Sequence, residues 1–164
     1  MINVSRVKQL RDRQLDLRDI ILGGQDGLVN VLGVTLGVAA ASGDTRIVLA
    51  AGLAATFAES FSMAAVAYTS SIAKYHAVRD ALIVGVAAIL GSIIPLLPFA
   101  FLPVNSAINT ALAVSVFFLF ILGVYKAKIL RSNYWRSGLE IAVIGIAAAL
   151  IGYLVGWIFK TPGV

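Results

Sequence analysis

Two carboxylates and a methionine stand in stretches that are otherwise apolar. Between Ile47 and Ala73 the one formal charge is Glu59, and between Ile20 and Gly43 it is Asp26. An acidic residue at the centre of a bilayer span costs about 2.5–3.5 kcal/mol on insertion scales. Side chains of this kind face a bundle interior or a water-filled path, and by default mark a functional site. The competing reading is a protonated, hydrogen-bonded packing residue. Glu59 and Met63 are four residues apart and share a helical face. Asp19 and Asp26 are seven apart, two turns, and also share one. Asn30 follows Asp26 by one turn and extends the line.

Depth along the two helices brings these residues together. Glu59 lies close to the midpoint of its apolar run. Asp26 lies about 8 Å to the N-terminal side of the middle of its own, at 1.5 Å rise per residue. The second helix runs the opposite way, so Met63 falls within a few ångströms of the level of Asp26. Carboxylate oxygens attract divalent cations. A thioether suits Mg²⁺ or Ca²⁺ poorly and softer transition metals better. The mixed donor set therefore points to Fe²⁺, with Mn²⁺, Co²⁺ and Zn²⁺ as near competitors. Alone, Met63 would read as packing. Carboxylates kept from water also bind protons readily. Metal and proton then compete for the same oxygens, which is the physical basis of exchanging one for the other.

The elements that must position these residues are transmembrane helices. Of 164 residues, 60% are hydrophobic and 13% charged, with a mean hydropathy of +0.94. Soluble domains carry about 25% charged residues, so this chain cannot cover a water-facing surface. A span needs about 20 apolar residues. Five are expected, at about 20–43, 47–73, 81–100, 106–126 and 138–159, in one all-α transmembrane domain over 1–164. Residues 81–125 carry no charge and are long enough for two spans, with Pro98, Pro103 and Asn105 marking the break. Pro95 is expected to kink the third helix. Residues 1–19 hold Arg6, Lys8, Arg11, Arg13 and Arg18 among acids, so no apolar signal core lies there. They read as a cytosolic extension of the first helix.

Basic residues set the orientation. The N-terminal segment, the 2–3 connection and the 4–5 connection hold 11 of the 13 Lys and Arg. That side is expected to be cytosolic, with the C-terminus outside. Membrane topology accounts for the net charge of +5, and nucleic-acid binding is not needed to explain it. The chain has no cysteine and one histidine, His76. Thiolate sites and multi-His metal centres within one chain are excluded. No nucleophile–base pair is evident, so an enzyme is not expected, no catalytic residue is assigned and no cofactor is implied.

Glu140, near the start of the fifth helix, and Asp80, at the start of the third, read as helix-end charges. Tyr134, Trp135 and Trp157 read as interfacial anchors. Three small-residue pairs permit close helix contact: Gly33-x-x-x-Gly37, Ala54-x-x-x-Ala58 and Gly152-x-x-x-Gly156. Packing within one bundle is the expected use of each, and a subunit contact the other.

Residues 18–38, RDIILGGQDGLVNVLGVTLGV, resemble the first transmembrane helix of the vacuolar iron transporter family, with its Arg-Asp pair and its Asp-Gly seven residues on. AESFSMAAVAY (58–68) resembles the family's Ser-Met motif, GSIIPLLPFAFLP (91–103) its Ile-Pro-Leu-Leu-Pro stretch, and RSGLEIAVIGIAAA (136–149) its fifth helix. The match runs from about residue 18 to 155 with its parts in order. It implies a five-helix homodimer with the ion path at or near the subunit interface. It also implies export of Fe²⁺, and often Mn²⁺, from the cytosol in exchange for protons. By motif, Asp26 and Met63 fall on the main transport residues, Asp19 on the aspartate nearer the cytosolic mouth, and Glu140 on the fifth-helix glutamate.

Two departures stand out. Ala55 occupies the position of a glutamate in plant members, and Glu59 the position of a glycine. The 2–3 connection, about Lys74 to Asp80, lacks the glutamate-rich cytoplasmic domain found in those members. The compact form suggests a prokaryotic plasma membrane. A non-transporting membrane scaffold, or the same fold carrying Mn²⁺ or Co²⁺, are the alternatives.

Overall fold

The computed structural model describes the backbone of residues 4–70 and 76–160, and side chains from Leu17 onward within those limits. The described residues form five α-helices: α1 (Val4–Ser42), α2 (Thr45–Ser70), α3 (Ala77–Phe101), α4 (Val104–Leu130) and α5 (Tyr134–Ile158). Each contains a stretch long and apolar enough to cross a membrane, that of α1 being Leu17–Ser42. The stretches of 25–27 residues span about 38–40 Å, more than the roughly 30 Å hydrocarbon core.

The helices begin and end where the local chemistry dictates. Gly43 adopts φ +61, and the Asp44 side chain then accepts hydrogen bonds from the backbone N–H of Arg46 (2.6 Å) and Ile47 (3.3 Å), capping α2. Asn133 caps α5 in the same way, through the N–H groups of Trp135 (3.1 Å) and Arg136 (3.3 Å). Pro98 does not break the chain as expected. Both Pro95 and Pro98 lie inside α3, and the break falls at Leu102 and Pro103, which precede α4. Helices 4 and 5 also extend about four residues further into their polar connection than the apolar run alone suggested, because hydrogen bonding carries a helix past its last apolar residue. The expected end of the second span, residues 71–73, lies outside the described residues.

Helix α1 is the hub and packs against each of the other four, most extensively α3 and α5. Neighbouring residues set the directions. Gly23 sits beside Val84 and Ala87, and Gly27 beside Ala88 and Ser92, so α1 and α3 run the same way. Gly85 faces Ser60 and Ala64 while Gly52 faces Leu96, so α2 runs against α3. Close approach depends on glycine here: a Cβ at Gly91 would collide with the Gly24 carbonyl, and one at Gly156 with the Gly37 carbonyl. The pairs Gly33/Gly37 and Gly152/Gly156 are thus used inside the subunit, as expected. Ala54 and Ala58 are not. Both are exposed on the open side of α2.

One apolar core joins Leu32, Leu36, Val48, Phe99, Ala107, Ala111 and Ala149; a second joins Leu28, Leu119 and Ile141. Tyr134, Trp135 and Trp157 are exposed near helix ends, as anchors require. His76 is exposed, and Asp80 lies in the first turn of α3.

Candidate metal-binding site

Asp26 and Asn30 occupy one strip of α1, with Leu22 and Val34 one turn to either side. Leu22, Asn30 and Val34 are exposed and Asp26 is half-buried. This strip is the face of α1 that the other helices leave uncovered. Opposite it, α2 contributes Glu59, also half-buried. The Asn30 amide nitrogen donates a hydrogen bond to Glu59 Oε1. The Asp26 carboxyl lies close enough to the Glu59 carboxyl to act on it electrostatically. Two carboxylates this close repel each other unless a proton or a cation lies between them.

The backbone explains why these three groups meet. Glycines 23, 24 and 27 let α1 settle against α3. Gly85, beside Ser60 and Ala64, and Gly52, beside Leu96, fix the register of α2 on the same helix. With both helices referred to α3, Glu59 arrives between the levels of Asp26 and Asn30.

The remaining expected residues sit around this cluster. Met63 is half-buried, one turn along α2 from Glu59, or about 6 Å along the axis. Asp19 is half-buried on α1, two turns from Asp26. Glu140 is exposed on α5. It lies nearly two turns beyond Asn133, the residue that caps that helix, so the helix-end reading of Glu140 is corrected. Among the described residues no group of three or more His, Cys, Asp or Glu side chains could hold a metal ion. Two acids plus an amide make an incomplete cage, open along the uncovered strip. Sequence reasoning placed Asn30 at the margin of the site; the structure makes it the direct partner of Glu59. The signal was its one-turn spacing from Asp26.

The sequence profile of the VIT family matches residues 17–77 and 71–157, which is most of the chain. The chain belongs to the VIT family. It is 28% identical over 167 aligned residues to an uncharacterised protein of Methanocaldococcus jannaschii, covering 84% of this chain and 87% of that relative. It is 30% identical to vacuolar iron transporter 1 of Tulipa gesneriana and 33% identical to vacuolar iron transporter 1 of Arabidopsis thaliana. Each of these two matches covers 79 residues, 48% of this chain and 32% of the plant protein. VIT membership and five membrane-length apolar helices fit a multi-pass membrane protein.

Proposed function

We propose that this VIT-family chain carries Fe²⁺, and Mn²⁺ as a second substrate, out of the cytosol in exchange for protons. The observation that carries the reading is the meeting of Asp26, Glu59 and Asn30 on the open strip of α1, within spans whose other formal charges, Arg18, Asp19 and Arg46, stand at the span ends. A carboxylate pair in such a place is costly to insert and serves a cation or a proton. The names of the two plant relatives support iron as the cargo.

In this reading Asp19 and Glu140 attract the cation at the cytosolic mouth. Asp26 and Glu59 take it from water, and Asn30 holds the Glu59 carboxylate in place. Met63, one turn nearer the cytosol than Glu59, adds a soft donor that favours Fe²⁺ over Mg²⁺. Protonation of the carboxylates from the outer side then releases the cation. The same oxygens cannot hold both, so the two fluxes are coupled.

Two acids do not complete a coordination shell. A second copy facing the same strip would supply two more, and a homodimer is the arrangement we favour. The exposed Ala54 and Ala58 on α2 are small residues at the spacing that suits such a contact. The basic end of the bundle, shared by the N-terminal segment and the α2–α3 and α4–α5 connections, faces the cytosol by the positive-inside rule. A prokaryotic plasma membrane is the location we infer.

Proteoliposomes with an imposed pH gradient test the function. Fe²⁺ movement against its gradient, coupled to proton flow and lost in Asp26→Ala, is the expected result. No movement of any divalent ion by the wild type, with no divalent ion altering its thermal stability, would instead identify a membrane scaffold. Competition by Mn²⁺ or Co²⁺ stronger than Fe²⁺ would reassign the cargo.

A further inference from the structure

The α4–α5 turn carries positive charge that the rest of the fold leaves unanswered. Lys126, Lys128, Arg131 and Arg136 all fall within residues 126–136. Across α4 and α5 the one acidic side chain is Glu140. Arg136 and Glu140 are four apart on α5, yet no ion pair joins them, and among the described residues none of the four cations pairs with any other acid. Lys128 instead lies over the Tyr125 ring, 5.9 Å from its centre. Lys128, Arg131 and Arg136 are exposed and Lys126 is half-buried.

The backbone singles out one of these cations. Arg131 ends α4 in the left-handed conformation, φ 52 and ψ 40, and is the one non-glycine residue with positive φ among the described residues. Glycine usually holds such a position, because a Cβ is penalised there. The Ser132 N–H bonds back to the Ala127 carbonyl at 3.0 Å, which closes the turn with Arg131 at its tip. Close packing fixes the two arms. A Cβ at Gly123 would strike the Ser137 carbonyl, so these residues lie level on antiparallel helices. Arg136 therefore stands within about one turn of the level of Lys126. Lys126 and Arg131 are separated by about 7.5 Å along α4. A headgroup layer is about 5–7 Å thick on each side of the hydrocarbon. The cations fill one such layer, since α4 holds no charge from Val104 to Tyr125. Tyr125, Tyr134 and Trp135 are exposed in the same band, and the Phe120 ring braces Trp135 at 5.6 Å. Leu130 and Leu139 are exposed beside them.

We propose that the α4–α5 turn binds an anionic phospholipid, its headgroup held by Lys126, Lys128, Arg131 and Arg136 and its acyl chains lying along the exposed apolar faces of α4 and α5. Charge selects an anionic lipid over a zwitterionic one, and juxtamembrane clusters of four or more Lys and Arg commonly serve this purpose. Depth selects a lipid over a soluble polyanion. The phosphates of a bilayer lie at the level of these side chains, whereas a soluble partner reaches them only from water. Membrane orientation alone needs cations on one side, but not one at a left-handed residue where glycine is easier. The site is independent of the transport reading and lies apart from the Asp26–Glu59 cluster.

Native mass spectrometry of the purified full chain in detergent tests this, with phosphatidylglycerol and phosphatidylcholine of matched acyl chains as probes. The wild type should retain phosphatidylglycerol in preference to phosphatidylcholine. Arg131→Gly should lower that preference by about fivefold, the worth of one surface cation at an anionic membrane. Its melting temperature should hold or rise, because glycine suits the left-handed position, so loss of lipid is not loss of fold. Lys128→Gln/Arg131→Gly should lower the preference by about 25-fold. Arg46→Gln/Lys160→Gln, at the opposite end of the bundle, should leave it unchanged. Equal retention of the two lipids by the wild type, an unchanged preference in Lys128→Gln/Arg131→Gly, or an equal fall in Arg46→Gln/Lys160→Gln would overturn the proposal. Release of the bound lipid by inorganic phosphate would mark a free-anion site and overturn it too. Saturable binding of a polyglutamate peptide without any lipid preference would assign the turn to an acidic protein instead.

Discussion

The two sides of α1 obey opposite rules. Toward α3 and α5 it presents Gly23, Gly24, Gly27, Gly33 and Gly37, and the neighbouring backbones come so close that an added Cβ at several positions would strike a carbonyl. On the uncovered strip it presents Leu22, Asp26, Asn30 and Val34, and the only side-chain hydrogen bond described there joins Asn30 to Glu59. The closed side has no chemistry and the open side has little packing. Each needs the other. Dispersion and backbone contact on the glycine side hold α1 rigid, and that rigidity lets a half-exposed amide and two acids keep their relative positions. The small-residue ladders make the same contrast. Gly33/Gly37 and Gly152/Gly156 lock α1 to α5, whereas Ala54/Ala58 has the same spacing and touches nothing within the subunit that buries it.

The comparison breaks most severely at the closed seam. Gly156→Leu drives a side chain into the Gly37 carbonyl and should cost about 3 kcal/mol or more, the upper end for overpacking. Little folded protein should be recovered from membranes, as judged by size-exclusion profile. On the open strip the fold should survive while function fails. Asp26→Ala should reduce proton-driven Fe²⁺ movement to the level of empty liposomes, with a melting temperature close to wild type. Asn30→Ala removes the partner of Glu59 but neither acid of the site. It should weaken Fe²⁺ binding by about tenfold, as loss of an outer-shell partner commonly does, read by titration calorimetry in detergent. Ala58→Trp sharpens the contrast between ladders. It should leave the subunit folded and shift light-scattering mass from two copies toward one. Met63→Leu should have the smallest effect, narrowing the preference for Fe²⁺ over Mg²⁺ several-fold without loss of fold.

Much of this architecture was legible in the residues because a bilayer simplifies the problem. Five apolar runs could hardly be anything but five helices. The error at Pro98 has a physical origin. A proline removes one N–H and clashes one turn back, but in α3 the helix continues through it to Phe101. A proline therefore marks a break only when the following residues also leave the helix, as Leu102 and Pro103 do. Asp26 and Glu59 were conspicuous because charge is expensive in lipid. Matching of depth set Asp26 level with Met63, one turn along α2 from Glu59, and rotation about the helix axis decides whether two residues at one level face each other. That rotation is set by glycines on the other side of α1. Ser60, Ser92 and Ser115, whose buried hydroxyls make no hydrogen bond, could not be singled out. A serine that bonds its own backbone and one that bonds nothing look alike in sequence.

The central claim is that Asp26 and Glu59 form a cation site on the open side of α1. Anomalous scattering from crystals soaked in Mn²⁺ or Fe²⁺ tests it most directly. The account predicts a peak between the two carboxylates, near Asn30, that disappears in Glu59→Gln. A peak elsewhere, with none at the pair in wild-type crystals, would contradict it.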